Sequence, residues 1–273
     1  MMKIGVFDSG VGGLWILKHL QSALLAYDYV FFGDQGHVPY GVRSMDEIRS
    51  FSETITKFLI EKGCRVIVIA CNTASAASLS YLREKYTDTI FVGMEPAIKP
   101  AAELSKTKKV GVLATPATFQ SELYNSIVER FAKGVEIFND TCPGLVGQIE
   151  KGNLDSPEAK DILERALFPM IEKGIDTVVL GCTHYPYAIP LIKKIVGEKV
   201  NVIDPTDAVV RQVCHVLEEN KLFTGLKEDK IGKINIFTSG EPSTMNHVLS
   251  KLFKHYLEIQ KVEWNNDLNI MLK

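Results

Sequence analysis

Two cysteines in this chain each follow a short hydrophobic run that has the character of a β-strand. Cys71 comes after Val-Ile-Val-Ile-Ala and Cys182 after Thr-Val-Val-Leu-Gly, and a polar pair follows each cysteine at once. Two thiols at matching positions of related halves can reach opposite faces of one carbon atom. Proton exchange at opposite faces inverts a stereocentre, so the duplication predicts a site in which two thiols act as acid and base.

An ordinary structural role is the alternative for any single cysteine, because cysteine is frequently buried as a small apolar side chain. We apply that interpretation to Cys64, Cys142 and Cys214. Cys71 and Cys182 differ because the residues after them would place amide, hydroxyl and imidazole groups in the same crevice. A free thiol has a pKa near ~8.5, and we expect a helix that begins after Cys71 to favour its thiolate.

A glycine-rich turn follows the first hydrophobic segment and runs from Asp8 to Leu14 as Asp-Ser-Gly-Val-Gly-Gly-Leu. Its backbone N–H groups could hold an anion at the start of a helix. A nucleotide is disfavoured because the Walker Gly-Lys-Ser/Thr pattern is absent, and Gly10-Val-Gly12 lacks the third glycine of the dinucleotide pattern. We therefore expect a carboxylate there, with Asp8 close to a thiol.

Three further segments carry polar groups for which a structural and a functional interpretation both stand open. The run from Asp34 to Gly41 is either a Pro/Gly turn or a rim that presents the Tyr40 hydroxyl. The threonines of Thr-Pro-Ala-Thr118 either cap a helix or bind a second carboxylate. Glu150 is either a solvated charge near a helix end or part of the site.

His184 stands two residues after the second thiol, where an imidazole can orient or titrate a bound group near neutral pH. A metal site built on Cys182 and His184 is the alternative, but too few plausible ligands accompany the pair. We therefore expect a site without metal.

Composition disfavours several classes of function. The 273 residues carry a formal charge of -2 from intermixed acids and bases, so nucleic acid is not expected as the primary partner. The sequence has no signal-peptide core and no run of ~18 apolar residues for a membrane span, which predicts a cytoplasmic protein. Five cysteines form an odd set without CxxC spacing, which predicts reduced thiols rather than disulfides or a zinc ribbon.

Positioning these groups requires alternating strands and helices, a pattern typical of parallel α/β layers. The predicted strands are Lys3–Phe7, Tyr29–Phe32, Val66–Ile69, Val110–Leu113, Thr177–Leu180, Val200–Ile203 and Ile234–Phe237. The predicted helices are Met45–Glu61, Ala74–Lys85, Thr118–Ala132, Ser156–Lys173, Ala188–Val196 and Asp207–Glu219. Glycines that follow three of the helix ends are expected in left-handed caps; they are Gly63, Gly134 and Gly174.

No flexible linker divides the chain, so we expect short crossings between two lobes near Glu95-Pro96 and near Asp204-Pro205-Thr206. The double crossing makes the first lobe discontinuous, with residues 1–95 plus 207–273 in one lobe and 96–206 in the other. The expected fold is α/β, with two pseudo-symmetric lobes that each hold a mainly parallel sheet. Ligands in such sheets collect at the carboxyl ends of strands, which predicts an active site in the cleft between the lobes.

Four motifs, in this order along the chain, resemble the glutamate racemase family of the aspartate/glutamate racemase superfamily. The resemblance covers nearly the whole chain to about Gly240, whereas the last ~30 residues, interpreted as a helix and an extension, carry little signal. The motifs are Asp8-Ser-Gly-Val-Gly-Gly-Leu14, Pro39-Tyr-Gly41, Ala70-Cys-Asn-Thr-Ala-Ser75 and Gly181-Cys-Thr-His-Tyr-Pro186.

The resemblance implies a racemase that works without a cofactor such as pyridoxal phosphate. Cys71 and Cys182 would flank the α-carbon of glutamate, one thiolate removing its proton and the other thiol delivering one. Asp8 would assist near Cys71, and Glu150 and His184 near Cys182. A homodimer and the supply of D-glutamate for peptidoglycan are also implied. The implied substrate-binding residues are Asp8, Ser9, Tyr40, Gly41, Asn72, Thr73, Thr118, Thr183 and His184.

Some positions depart from the family pattern, namely Trp15, Gly144, Gly147 and Pro205-Thr206, which leaves the pocket size and substrate preference open. Aspartate racemase is the nearest alternative, since one methylene group commonly shifts selection by only ~1–3 kcal/mol. A one-thiol decarboxylase relative, a non-catalytic amino-acid-binding module and a redox switch between the thiols are weaker alternatives.

Overall fold

Two mainly parallel β-sheets organise the chain. The computed structural model describes residues 2–222, 231–253, 257–265 and 269–272. The strands are β1 (Lys3–Asp8), β2 (Asp28–Gly33), β3 (Cys64–Ile69), β4 (Ile90–Gly93), β5 (Lys109–Ala114), β6 (Glu136–Asp140), β7 (Thr177–Gly181), β8 (Asn201–Ile203), β9 (Ile234–Thr238), β10 (Ile259–Trp264) and β11 (Ile270–Leu272). Within the described residues, one sheet has the order β11-β10-β9-β2-β1-β3-β4 and the other β6-β5-β7-β8. Only the pairing of β10 with β11 is antiparallel among these strands.

Helices cover both faces of the larger sheet, as expected for parallel strands that are buried on both sides. Along β1, Ile4 and Val6 join the apolar core that contains Leu17, whereas Phe7 points to the opposite core with Ile55. The helices are α1 (Gly13–Ala23), α2 (Met45–Glu61), α3 (Asn72–Lys85), α4 (Ile98–Leu104), α5 (Pro116–Gln120), α6 (Glu122–Phe131), α7 (Leu145–Glu150), α8 (Pro157–Glu172), α9 (Ile189–Val196), α10 (Thr206–Glu219) and α11 (Pro242–Leu252). Two 3₁₀ turns span Tyr40–Val42 and Tyr185–Ala188.

The chain passes from the larger sheet to the smaller one between β4 and β5 and returns after β8. Helix α10 then packs against α1 of the first sheet. We propose that the lobes comprise residues 1–95 plus 207–273 and residues 96–206. Trp15 on α1 ties the two parts together, because its indole N–H donates to Asp204 at 3.1 Å, immediately beyond β8.

The seven predicted strands and the positions of the six predicted helices are confirmed, with shifted ends. The helix predicted over Thr118–Ala132 is two helices, because the Ser121 hydroxyl accepts a hydrogen bond from the Tyr124 N–H and caps a new start. The three predicted cap glycines all have left-handed φ angles, of 87°, 76° and 83° in chain order.

The prediction for the last residues was incomplete. They form α11, but the extension beyond it contains β10 and β11, which continue the larger sheet past β9. Sequence analysis also missed β4 and β6. Strand β6 lies at a sheet edge, where its side chains are exposed or half-buried, so it lacks the apolar run that marked the central strands.

Candidate active site

The carboxyl ends of neighbouring strands bring the predicted groups together. In the first sheet β1 and β3 are neighbours, so Asp8 and Cys71 lie at adjacent strand ends. In the second sheet β5 and β7 are neighbours, and Thr115 and Cys182 follow them directly. Both thiols line one cavity of about 350 Å³. Its wall comprises Ser9, Pro39, Tyr40, Gly41, Val42, Cys71, Asn72, Thr73, Thr115, Pro116, Thr141, Cys142, Pro143, Gly144, Val146, Gly147, Cys182, Thr183, His184 and Tyr185.

Cys71 lies at the N-cap of α3, as the sequence predicted. The Ala74 N–H donates to its sulfur at 3.4 Å, and the sulfur lies 3.9 Å from the Ser9 hydroxyl. The helix acts on this thiol in the expected direction, because the hydrogen bond from the Ala74 N–H lowers the pKa of Cys71. Burial, and after it the nearby Asp8 carboxylate, raise the pKa of Cys71 and outweigh the opposing hydrogen bond from the helix. The Cys71 thiol is therefore favoured in its neutral form.

Cys182 is followed by a 3₁₀ turn rather than by a regular helix. Its sulfur lies 3.9 Å from His184 Nδ1, and His184 Nε2 lies 2.6 Å from an oxygen of Glu150. Burial opposes a charge on the imidazole, but the hydrogen bonds to Cys182 and Glu150 prevail and raise the pKa of His184 well above its usual value. The imidazole beside the second thiol is therefore favoured in its protonated form.

Glu150 is a bonded carboxylate at the site rather than a solvated charge. Its Oε1 accepts the Val11 N–H at 2.8 Å and its Oε2 accepts the Gln35 amide at 2.9 Å. Burial alone would raise the pKa of Glu150, but the bonds from His184, Val11 and Gln35 lower it. The predicted anion at the glycine-rich turn is thus the protein's own carboxylate. A Cβ at Gly10 would collide with it, which explains the glycine.

Asp8 lies behind the cavity wall and reaches the second lobe. Its carboxylate accepts the Gly10 N–H and the Thr183 hydroxyl, each at 3.0 Å. Full burial raises the pKa of Asp8, while nearby His184 and the backbone hydrogen bonds oppose the rise. Its direct contact with substrate stays a prediction.

Asn72 presents the least satisfied polar group on the wall. Both its amide nitrogen and its amide oxygen are buried, and neither has a hydrogen-bond partner. A buried amide without partners costs free energy unless a ligand completes it. The side chain is therefore poised to bind a polar group that enters the cavity.

Three threonine hydroxyls join the lobes along one side of the cavity. Thr73 Oγ1 lies 2.8 Å from Thr115 Oγ1, which lies 3.0 Å from Thr118 Oγ1. Thr115 caps α5, and Thr118 lies behind it instead of on the cavity wall. The cap interpretation is confirmed, and the role of Thr118 in binding stays a prediction.

Tyr40 belongs to the wall, with its hydroxyl turned away to a buried cluster. The hydroxyl donates to Asp34 at 2.6 Å, and burial followed by this carboxylate raises the pKa of Tyr40. Asp34 also accepts the Ser239 hydroxyl at 2.6 Å and the Trp264 indole N–H at 3.1 Å. Next to Tyr40, a Cβ at Gly41 would press on Thr115 of the other lobe.

Sequence analysis did not assign the wall that comes from the loop after β6 and from α7. These segments add Thr141, Cys142 and Val146 to the cavity, together with the two glycines already noted as departures, and the 3₁₀ turn after β7 adds Tyr185. Cys142 adopts a positive φ of 41°, which no feature of the sequence indicated. A Cβ at Gly147 would meet open space, so this glycine widens the cavity.

None of the five cysteines forms a disulfide. Over the described ranges, no set of three His, Cys, Asp or Glu side chains is placed to hold a metal ion. No helix in the same ranges combines the length and apolar character needed to cross a bilayer.

Known proteins are similar to this chain in sequence and in architecture. Residues 16–213 match the family model described as Asp/Glu/Hydantoin racemase. The chain is 42% identical over 250 residues to the glutamate racemase of Pseudomonas aeruginosa strain UCBPP-PA14, covering 92% of this chain and 93% of that protein. The chain belongs to the glutamate racemase family. The resemblance based on the four motifs is thereby confirmed.

Solved structures agree with this membership. The glutamate racemase of Francisella tularensis, in complex with D-glutamate, matches with a TM-score of 0.81 and 31% identity, covering 94% of this chain and 95% of that one. The Escherichia coli glutamate racemase, in complex with L-glutamate and the activator UDP-MurNAc-Ala, matches with a TM-score of 0.83 and 30% identity over 99% of both chains. The predicted two-lobe α/β fold is confirmed.

Proposed function

We propose that the protein is a glutamate racemase that exchanges the α-proton of L- and D-glutamate between two thiols without a cofactor. The observation that carries the proposal is that Cys71 and Cys182 line one cavity from two different sheets. The family membership and the relatives crystallised with each glutamate enantiomer support the same substrate.

The groups that surround the two sulfurs support different roles for the two thiols. Cys71 holds its proton because burial and Asp8 raise its pKa, while His184, whose own pKa is raised, lies 3.9 Å from the Cys182 sulfur. In one direction the Cys182 thiolate removes the α-proton, and Cys71 delivers its own to the opposite face. The reverse direction begins with Cys71 as thiolate and Cys182 as thiol.

Binding in this cavity relies on neutral donors and one imidazolium. None of the residues on its wall is lysine or arginine. We propose that Asn72, Thr73 and Thr183 hold the carboxylates and the amino group, with Ser9, Tyr40 and Gly41 completing the rim. Exclusion of water would strengthen the electrostatic interaction between these fixed dipoles and the carbanion that forms at the α-carbon.

The decisive experiment follows optical rotation of purified, pyridoxal-free protein in D2O with each enantiomer of glutamate and of aspartate. We expect loss of rotation with glutamate, together with one α-deuterium per inverted molecule by mass spectrometry. Turnover of aspartate alone would keep the two-thiol chemistry and replace the substrate. Silence with all four amino acids would overturn the proposal.

Three further properties are proposed from family membership. The protein acts in the cytoplasm, it supplies D-glutamate for peptidoglycan, and it works as a homodimer whose symmetric interface is coupled to lobe closure. Sedimentation of the purified protein with and without D-glutamate tests the dimer. A single monomeric species under both conditions would contradict it.

A further inference from the structure

A side chain outside the cavity wall completes the coordination of the Glu150 carboxylate. Gln35 follows β2 by two residues and is half-buried, and its amide nitrogen donates to Glu150 Oε2 at 2.9 Å. The other carboxylate oxygen serves Val11 and His184. Gln35 is thus the side chain that binds the oxygen facing away from the imidazole.

The orientation of the Gln35 amide is determined by the groups on either side of it. Its oxygen accepts the hydroxyl of Thr238 at 3.0 Å, and the Thr238 oxygen in turn accepts the Gly240 N–H at 3.1 Å. Because the Glu150 carboxylate only accepts hydrogen bonds, the amide nitrogen of Gln35 must face it. The amide oxygen then faces the hydroxyl of Thr238, which donates to it. Thr238 ends β9 and is fully buried, so this anchor is part of the sheet.

Resting on the proposed racemase function, we propose that Gln35 is a positioning residue that holds Glu150 in the orientation in which it bonds His184. A line of hydrogen bonds then runs from the end of β9 to the second thiol: Thr238, Gln35, Glu150, His184 and Cys182. Gln35 adds no charge. It orients the carboxylate and leaves the negative charge to face the imidazole.

The rationale is geometric, since a carboxylate bonded through one oxygen can swing about its side-chain torsions. Two anchors on Glu150, one from the backbone at Val11 and one from Gln35, define the carboxylate plane. A displaced catalytic group loses rate steeply, because proton transfer requires aligned donors and acceptors.

The test uses the full chain with Gln35→Met, which keeps the length and volume of the side chain and removes the amide. We expect kcat with glutamate to fall about 10-fold in the variant, while KM stays within about two-fold because residue 35 does not line the cavity. Thr238→Val, which removes the hydroxyl that holds the amide oxygen, should give a smaller loss in the same direction. Tyr29→Phe serves as control, because it removes a buried hydroxyl far from the cavity.

A spectroscopic measurement on the substrate-free protein separates positioning from a general loss of stability. The proton in the 2.6 Å bond between His184 and Glu150 should give a far-downfield proton NMR resonance. Its assignment is checked by its absence in Glu150→Gln. In Gln35→Met the resonance should move upfield or broaden, and in Tyr29→Phe it should stay in place.

Other titratable groups face the bond between His184 and Glu150, and they remain unchanged when Gln35 is replaced. The pH dependence of kcat/KM can therefore be compared between variants. These groups are Asp8 at the end of β1, Cys182 after β7 and Tyr187 in the second 3₁₀ turn. Since the Gln35 bond lowers the pKa of Glu150, its loss should move the acid limb of kcat/KM to higher pH. Gln35→Glu should move this limb further, because two carboxylates would then adjoin.

Two failures are distinguishable. If wild-type protein racemises glutamate and Gln35→Met retains the downfield resonance, the acid limb and kcat within about two-fold, the positioning role is overturned and the racemase proposal stands. If wild-type protein does not racemise glutamate, the racemase proposal fails, while the resonance still reports whether Gln35 holds Glu150.

Discussion

The surroundings of the two thiols differ although the sequences before them match. Cys71 caps a regular helix and adjoins a buried carboxylate, Asp8. Cys182 leads into a 3₁₀ turn that brings His184 back to its sulfur, with Glu150 behind the imidazole. Equivalent strand ends therefore differ in the titratable group beside the sulfur, which is a carboxyl group, Asp8, at Cys71 and an imidazole, His184, at Cys182. A racemase must favour neither enantiomer at equilibrium, yet its two halves need not resemble each other chemically.

Replacement of either sulfur should have the largest effect on the rate of racemisation and tests the two thiols most directly. Cys71→Ser and Cys182→Ser should each lower racemisation about 1,000-fold, because a serine hydroxyl is a far weaker base than a thiolate. Each variant should still exchange deuterium into one enantiomer without inversion, and the two variants should choose opposite enantiomers. Polarimetry and mass spectrometry in D2O measure both properties. A variant that racemises at nearly the wild-type rate would remove that thiol from the mechanism.

Removing the cation tests whether the two ends really differ. His184→Gln should lower kcat about 100-fold, with the larger loss in the direction in which Cys182 acts as base. Because the equilibrium constant between enantiomers is one, kcat/KM must fall equally in both directions. Steady-state kinetics from L- and from D-glutamate separate the two parameters. Equal losses of kcat in both directions would contradict the asymmetry.

Replacement of Glu150, the partner of the His184 imidazole, should change how kcat/KM depends on pH. In Glu150→Gln the anion that raises the pKa of His184 is lost, so the imidazolium deprotonates at lower pH. The alkaline limb of kcat/KM should move toward neutral pH, with up to about 10-fold lower activity on that limb for each pH unit of movement. Profiles over the alkaline range measure the shift. An unchanged limb would show that another group controls it.

Replacement of Asp8 should give the smallest effect, which is a change in the free energy of unfolding. The folded-state pKa of this carboxyl is raised above its unfolded value, so its contribution favours the fold at low pH and is lost as pH rises through the folded-state pKa. Asp8→Asn removes that penalty and should be about 1 kcal/mol more stable relative to wild type at pH 8 than at pH 4. Urea unfolding at the two pH values provides the measurement. A difference of opposite sign would mean that His184 and the backbone hydrogen bonds outweigh burial and lower the pKa of Asp8 in the folded state.

Local patterns explain which parts of the molecule could be predicted. Cys71 and Cys182 were identified because an apolar strand, a small residue and a polar pair occur consecutively, and the family motifs then indicated Glu150 and His184. Strands β1, β3, β5 and β7 are buried on both faces and appear as continuous apolar runs. Strand β10 escaped because Ile-Gln-Lys-Val-Glu-Trp carries three polar side chains at the margin of the sheet.

Contacts between distant parts of the sequence explain what could not be predicted. The Gln35 amide meets Glu150 115 residues later, and Asp34 meets Trp264 230 residues later. Neither contact can be deduced from the periodicity of a helix or a strand. The pKa of Cys71 shows a similar limit, because the helix start was visible in the sequence but the burial that outweighs it was not.

The hydrogen-bond donors of Asp34 are synthesised in a fixed order relative to the cavity wall. The residues on the cavity wall all precede residue 186, so the ribosome completes them before Ser239 and Trp264 are made. Until those two residues arrive, the carboxylate that anchors Tyr40 lacks two of its donors. A nascent chain that already carries both thiols therefore has an incompletely anchored wall. The set of hydrogen bonds that holds Asp34 is complete only once the last part of the larger sheet has been synthesised.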